Sequence, residues 1–364
     1  MQAKTATRLQ SMDVLKAVAI FLVLWGHSQH LTSINCFDRP VYYHIYTFHM
    51  PLFMMISGFF FAMTVRTSFT GMLRRKARQL LLPCAVCLCI IWLFDGIIFG
   101  DELTFKHLIY RLTHHIWFLK SAFICCLLGF IPFAAMKNRL AVAAIATLAA
   151  SQFIRTHQTA FMYPAFLAGG LIYLNHDSFR AHCRIIFAVG ALLCIAGNLF
   201  MDGETYRWLL SRPQATGEII AMRLYKYTMG LSGAIALTAL AEWIFSHPRS
   251  GPAVEAAAKL GGMTLGIYLI QTIILEDILT RLVRLDMFPA WIFDFIVSPA
   301  IALAVMYASV AAIRLIRRST VASLLLLGIK KKASATCRIR RSPTKISLNG
   351  RRLALLCLPL QLSI

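Results

Sequence analysis

The chain has 364 residues, of which 59% are hydrophobic and only 14% charged, with a formal net charge of +22. Soluble domains carry about 25% charged residues, so a soluble globular fold is excluded: most of the surface cannot face water. The basic residues lie between apolar runs and not in one patch, so membrane topology explains the charge and nucleic-acid binding does not.

Apolar runs of about 20 residues, the length that spans a bilayer core, recur along the chain. In lipid every backbone polar group must be satisfied within the segment, so such runs become helices. Predicted spans are, in chain order, 14–33, 46–65, 79–100, 116–133, 139–154, 160–175, 183–201, 226–246, 262–280 and 290–315. The expected fold is all-α, a polytopic transmembrane helical bundle of about ten helices. An even number places both termini on one side. Arg66, Arg74, Arg75, Lys76 and Arg78 crowd the connection after the second span and mark that side as cytoplasmic, and Lys4 and Arg8 agree. The loop at 202–225, expected outside, runs against this pattern with Arg207, Arg212 and Arg223, as does the neighbouring Lys226.

The first run holds Asp13, Lys16 and His27 and lacks a convincing cleavage site, so it is read as a retained helix. Six of the ten cysteines (Cys84, Cys87, Cys89, Cys125, Cys126 and Cys194) lie inside apolar runs, where a thiol behaves as a small hydrophobe. The CxxC of Cys84 and Cys87 has no soluble βαβ context and no second pair, so no redox or zinc role is assigned. No internal repeat or soluble domain is visible. One membrane domain is expected over 8–329, followed by a basic, unperiodic tail over 330–364 (KKKASATCRIRRSPTKISLNGRR and an apolar end too short to span). The tail reads as disordered. It is either a segment for anionic lipids or a frameshifted end, and it is given no function.

Ionisable side chains inside a membrane are costly and mark function by default. Lys16 and His27 are 11 positions apart, three helical turns plus about 20°, so they share one face about 16 Å apart along the axis. Alone, Lys16 is a snorkelling lysine at a helix end, and His27 is a histidine satisfied by a neighbouring helix. Together they suit an anionic donor whose head meets the cation while its reactive end reaches the imidazole. The second span opens on FHMPLFMMISGFFF, with His49 near its outer end, Pro51 close to its start, and Ser57 and Gly58 permitting a close helix crossing. The fourth opens on HHIWFLKSAF, adding His115 and Trp117. Asp95 late in the third span and Glu276 late in the ninth are expected at similar height. An imidazole beside carboxylates suits general base catalysis. A metal site is the lesser alternative, since no HExxH-like spacing is present. In RRKARQLLLP, Arg75 and Arg78 share a helix face and can grip one phosphate, unless they only orient the chain.

At these residues the sequence resembles the membrane acyltransferase-3 family of bacterial integral-membrane O-acetyltransferases. FHMPLFMMISG resembles its fucose 4-O-acetylase-like branch. The resemblance also rests on the Arg/Lys-x10-His pattern from Lys16 to His27 with Asp13 before it, and on the Ser-Gly segment at Ser57 and Gly58. Arg75 and Arg78 followed by Pro83, WFL from Trp117 to Leu119, and the late GGMTLGIYLIQ complete it. That last helix commonly ends in histidine in the family, whereas here Gln271 stands in its place. The resemblance covers residues 8–330. It implies transfer of an acyl group, acetyl in the usual case, from acetyl-coenzyme A to a hydroxyl of a surface polysaccharide or lipid-linked glycan, in the bacterial inner membrane. Acyl-coenzyme A is then a donor substrate, with no bound cofactor. Lys16, Arg75 and Arg78 would hold donor phosphates. His27 would be the base or a transient acyl carrier, with His49 beside it and Asp13, Ser57, Asp95, Trp117 and Glu276 in support. The competing class is a transporter or flippase of a glycan or lipid precursor, which commonly shows repeated halves.

Overall fold

The computed structural model describes residues 2–330, apart from 33–34, 66–67, 136, 155, 157, 212–214 and 248, and for residues 2–9 and 137 the backbone alone is described. Arg66, Arg212, the side chains of Lys4 and Arg8, and the expected tail from residue 331 onward lie outside the described residues. Among the described residues all regular structure is helical. The helices are α1 Gln2–Ser28, α2 Pro40–Thr64, α3 Phe69–Phe99, α4 Phe105–His114, α5 Trp117–Ala134, α6 Leu140–Ser151, α7 Thr159–Leu174, α8 His176–Ala181 and α9 Cys183–Asn198. They continue as α10 Gly203–Leu210, α11 Thr216–Ile244, α12 Pro252–Gly261, α13 Thr264–Leu282, α14 Ala290–Ile316 and α15 Thr320–Leu327.

A helix stands at each of the ten expected positions, but fewer meet the length and hydropathy that spanning requires. Gln10–Leu31, α2, α3, α5 and α14 do, which makes five. The count reaches seven if the bent pairs α9–α10 (100°) and α12–α13 (68°) are each one span. Of the remainder, α6 and α7 have 12 and 16 residues. Helix α11 has 29 but carries Glu218, Arg223, Lys226 and Glu242 along its length. The molecule is a multi-pass helical membrane protein. Its outward faces suit lipid: Ile97, Phe153, Leu199 and Phe200 each expose more than three quarters of their surface.

Helix α1 runs through the middle and packs against α2, α11, α12, α13 and α14. Its buried Ile20, Val23 and Leu24 join the main apolar core. The tightest crossing is α2 on α7. A Cβ on Gly58 would lie 1.8 Å from the Phe166 carbonyl oxygen, and one on Gly169 1.8 Å from that of Met55. Only glycine allows the two backbones this approach. Helix α2 starts at Pro40, two turns before the expected boundary. Proline is pre-organised at a helix start, and the aromatic VYYHIY that dilutes the hydropathy there packs with Tyr206 and Leu209 of α10. Pro51 is therefore an interior proline, which removes one backbone hydrogen bond a half-turn after His49.

These contacts sort the bundle into two ends. At one, the start of α1 meets the ends of α11 and α12: Ser11 Oγ donates to Glu242 Oε1 at 2.6 Å, His176 Nε2 lies 3.2 Å from the same oxygen, and Gly261 abuts the Asp13 carbonyl. At the other, the end of α1 meets the first half of α2, the later turns of α13 and the start of α14.

Candidate active site

A cavity of about 60 Å³ lies at this second end. His27 reaches it from the last turn of α1, where the helix C-terminus favours a basic group. Tyr46, His49 and Met50 come from α2, Ile116 and Trp117 from the α4–α5 junction, and Tyr268, Thr272 and Glu276 from α13. Four residues expected to support one site (His27, His49, Trp117 and Glu276) thus line one cavity.

The polar groups are oriented. His27 Nδ1 lies 3.4 Å from Glu276 Oε1 and 3.4 Å from the Tyr46 hydroxyl. Glu276 Oε1 also accepts from Gln271 Nε2 at 3.2 Å and from Thr272 Oγ1 at 3.4 Å. His49 is 1% exposed, and its Nδ1 is 2.8 Å from the Ile45 carbonyl. A carbonyl only accepts, so Nδ1 donates, and the neutral ring keeps Nε2 as an acceptor. The Tyr46 ring sits 6.1 Å from that of His27 and 4.6 Å from that of His49, so it stands between the two imidazoles.

Helix α13 reaches the site through a wide turn. Thr272–Leu279 is π-helical, and π turns often occur at functional positions. Two other π segments, Ala77–Leu81 in α3 and Phe293–Val297 in α14, carry Arg78 and Asp294. Asp294 Oδ1 accepts from Arg39 at 2.5 Å, and its carbonyl accepts from Trp25 of α1 at 3.0 Å.

Asp95 does not join the cavity. It is 1% exposed and bound to Arg111 at 2.6 Å and Arg281 at 3.1 Å. Arg111 also donates to Asp277 at 2.9 Å. Its depth matched the site, but its charge is consumed by an ion-pair network beside it. Through Asp277 that network grips the residue next to Glu276. Through α4 it fixes the approach to Ile116 and Trp117. His115 precedes these two and is absent from the lining.

The expected donor-binding residues lie at the opposite end. Lys16 Nζ is 2.8 Å from Asp13 Oδ1 and 3.8 Å from the centroid of Phe60. Arg75 donates to the Thr64 carbonyl at 3.2 Å, and Lys76 stands over Phe61. The end of α2 therefore gathers Lys16, Arg75 and Lys76. Arg78 lies on the π turn, and its buried Nε has no hydrogen-bond partner among the described residues. Ser57 sits away from the cavity, bonded to the Phe53 carbonyl at 2.8 Å. Gln271, in the place of a family histidine, is fully buried and bonds Glu276 and Thr272 of the site.

Tyr46, Met50, Ile116, Tyr268 and Thr272 line the cavity without having been singled out from the sequence. For two of them a signal existed: Tyr268, Thr272 and Glu276 fall four apart, which on a helix is one face.

A histidine–carboxylate pair thus lines a cavity at one end of a multi-pass helical bundle, with cations gathered at the other end. A family model described as an acyltransferase domain matches residues 9–314, and the chain belongs to this acyltransferase-3 family. It is 30% identical over 300 residues to nodulation protein NolL of Mesorhizobium japonicum, covering 74% of this chain and 77% of that protein. It is 25% identical over 353 residues to nodulation protein NolL of Sinorhizobium fredii, covering 88% and 92%. No solved structure matches. The chain is an acyltransferase.

Proposed function

We propose that the enzyme transfers an acetyl group from acetyl-coenzyme A, taken from the cytoplasm, to a sugar hydroxyl of a surface polysaccharide or lipid-linked glycan in the bacterial inner membrane. The observation that carries this reading is His27 Nδ1 at 3.4 Å from Glu276 Oε1 inside a cavity shared with His49. With Nδ1–H held by the carboxylate, the Nε2 lone pair takes the proton of the sugar hydroxyl. The hydroxyl oxygen attacks the thioester carbonyl carbon, the C–S bond breaks, and the departing thiolate recovers the proton from the imidazolium. Glu276 stabilises the imidazolium, as carboxylate partners of catalytic histidines do. In this reading His49 Nε2 accepts from the same hydroxyl and orients it.

The donor's phosphates are assigned to the Lys16 end, where Lys16, Arg75 and Arg78 supply charge. That end is taken as cytoplasmic by the positive-inside rule, with anionic lipid around it. The test is transfer of labelled acetyl from acetyl-coenzyme A in membrane vesicles, with mass spectrometry of surface glycans from cells with and without the gene. His27→Ala is expected to lower transfer about 10²–10⁴-fold at normal membrane abundance. Near-normal transfer removes His27 from the chemistry.

A further inference from the structure

Ile116 is built against its own backbone. Its φ of 50° and ψ of 41° are left-handed, a conformation that crowds any Cβ and a branched one most. The other non-glycine residue of positive φ among the described residues is Gln158, a polar, exposed residue at a helix entry. Ile116 is 5% exposed, belongs to the main apolar core and lines the cavity. The backbone alone suits glycine or asparagine at this position. Strain of this kind persists where the surroundings over-determine the residue, and it collects at ligand sites.

The cavity it lines is small and mixed in character: His27, His49 and Glu276 are polar, and Met50, Ile116 and the Trp117 ring are apolar. Its volume is about 60 Å³. A small acyl group such as acetyl suits that space, its carbonyl matching the polar groups and its methyl the apolar ones. A longer acyl chain would run into Ile116 and Met50.

We infer that this cavity is the acyl pocket and that Ile116, with Met50 facing the same space, limits the transferred group to acetyl. The inference rests on the acyl-transfer reading and adds the residues that set chain length. One methylene against an apolar pocket wall changes discrimination about 10- to 200-fold.

The experiment compares acetyl- and butyryl-coenzyme A as donors for the full chain in membrane vesicles. It is read as the ratio of kcat/KM for the two donors in one preparation, so that an overall loss of activity cancels. Ile116→Gly relieves the left-handed backbone while opening the wall, and Met50→Ala opens it from α2 should the first variant fail to reach the membrane. The expected result is a wild-type preference for acetyl and a shift of at least about tenfold toward butyryl in either variant. Equal use of both donors by the wild type overturns the inference, as does an unchanged ratio in a variant that still transfers acetyl. In both cases the acyl-transfer reading survives. Absence of transfer from either donor by the wild type removes that reading and the inference with it.

Discussion

The two ends of the bundle hold their cations in different company. At the His27 end, Arg39 is paired with Asp294, Arg111 with Asp95 and Asp277, Arg207 with Asp38, and Arg281 with Asp95 and Asp101. Each of these four is answered by a carboxylate, while Lys120 and Arg284 at the same end bond the carbonyls of Leu112, Thr113 and His30. At the Lys16 end the partners are more often carbonyls and rings. Arg75 bonds the Thr64 carbonyl, Arg180 those of Phe245 and Ser246, and Lys76 and Arg184 stand over Phe61 and Trp243. Such partners hold a guanidinium or ammonium in place without cancelling its charge. One end is thus cross-linked by ion pairs. The other is left positive, as a cytoplasmic face or a phosphate site requires. Of the basic residues of the 202–225 loop, Arg207 is matched by Asp38.

The sharpest way to break this contrast is to remove a cation from the cross-linked end. Arg111→Ala leaves Asp95 and Asp277 buried without their shared partner, and losing one member of a buried ion pair costs about 3–5 kcal/mol. A drop in thermal stability of the detergent-solubilised protein is expected, with Arg111→Lys recovering part of it, because an ammonium cannot bridge two carboxylates as a guanidinium does. Unchanged stability in Arg111→Ala would mean that the network does not brace this end.

At the positive end the expected effect is on donor use. Lys16→Ala and Arg78→Ala should each raise the apparent KM for acetyl-coenzyme A about tenfold, or about 1.4 kcal/mol, with Lys16→Arg closer to wild type. Donor titration in vesicles measures it. An unchanged KM in both alanine variants would show that these cations serve only topology or packing, Lys16 through Asp13 and Phe60.

The smallest effect belongs to the exposed pair. Arg207→Ala should change stability by about 1 kcal/mol or less, since solvent screens an exposed ion pair. Thermal melts separate this from Arg111→Ala. A loss as large as that of Arg111 would make the outer pair part of the brace.

Much of the helix placement was legible because hydropathy reports burial in lipid directly. The number of spanning helices was less so, since α6, α7 and α11 are too short or too polar by length and hydropathy alone. In the site, His27, His49, Trp117 and Glu276 were legible through depth: antiparallel helices of known length bring their ends to one level. Depth says nothing of azimuth, and that is why Asp95 was placed with the histidines when its carboxylate turns to Arg111. Arg111 itself sits in FKHLIYRLTH, too short and polar to read as a span, and its partners come from distant parts of the chain. The π turn that carries Glu276 has no composition of its own, and the left-handed Ile116 defies local preference, so neither was visible before the backbone was.

The central claim is that His27 and Glu276 act as one unit. Acetyl transfer by His27→Ala, Glu276→Gln and the double variant, at matched membrane abundance, tests it most directly. Residues that act together lose activity non-additively. The expected result is a large loss in His27→Ala, a lesser one in Glu276→Gln, and a double variant no worse than His27→Ala alone. Two losses that multiply in the double variant, with its activity still above background, would show that the carboxylate and the imidazole work separately and would contradict the mechanism.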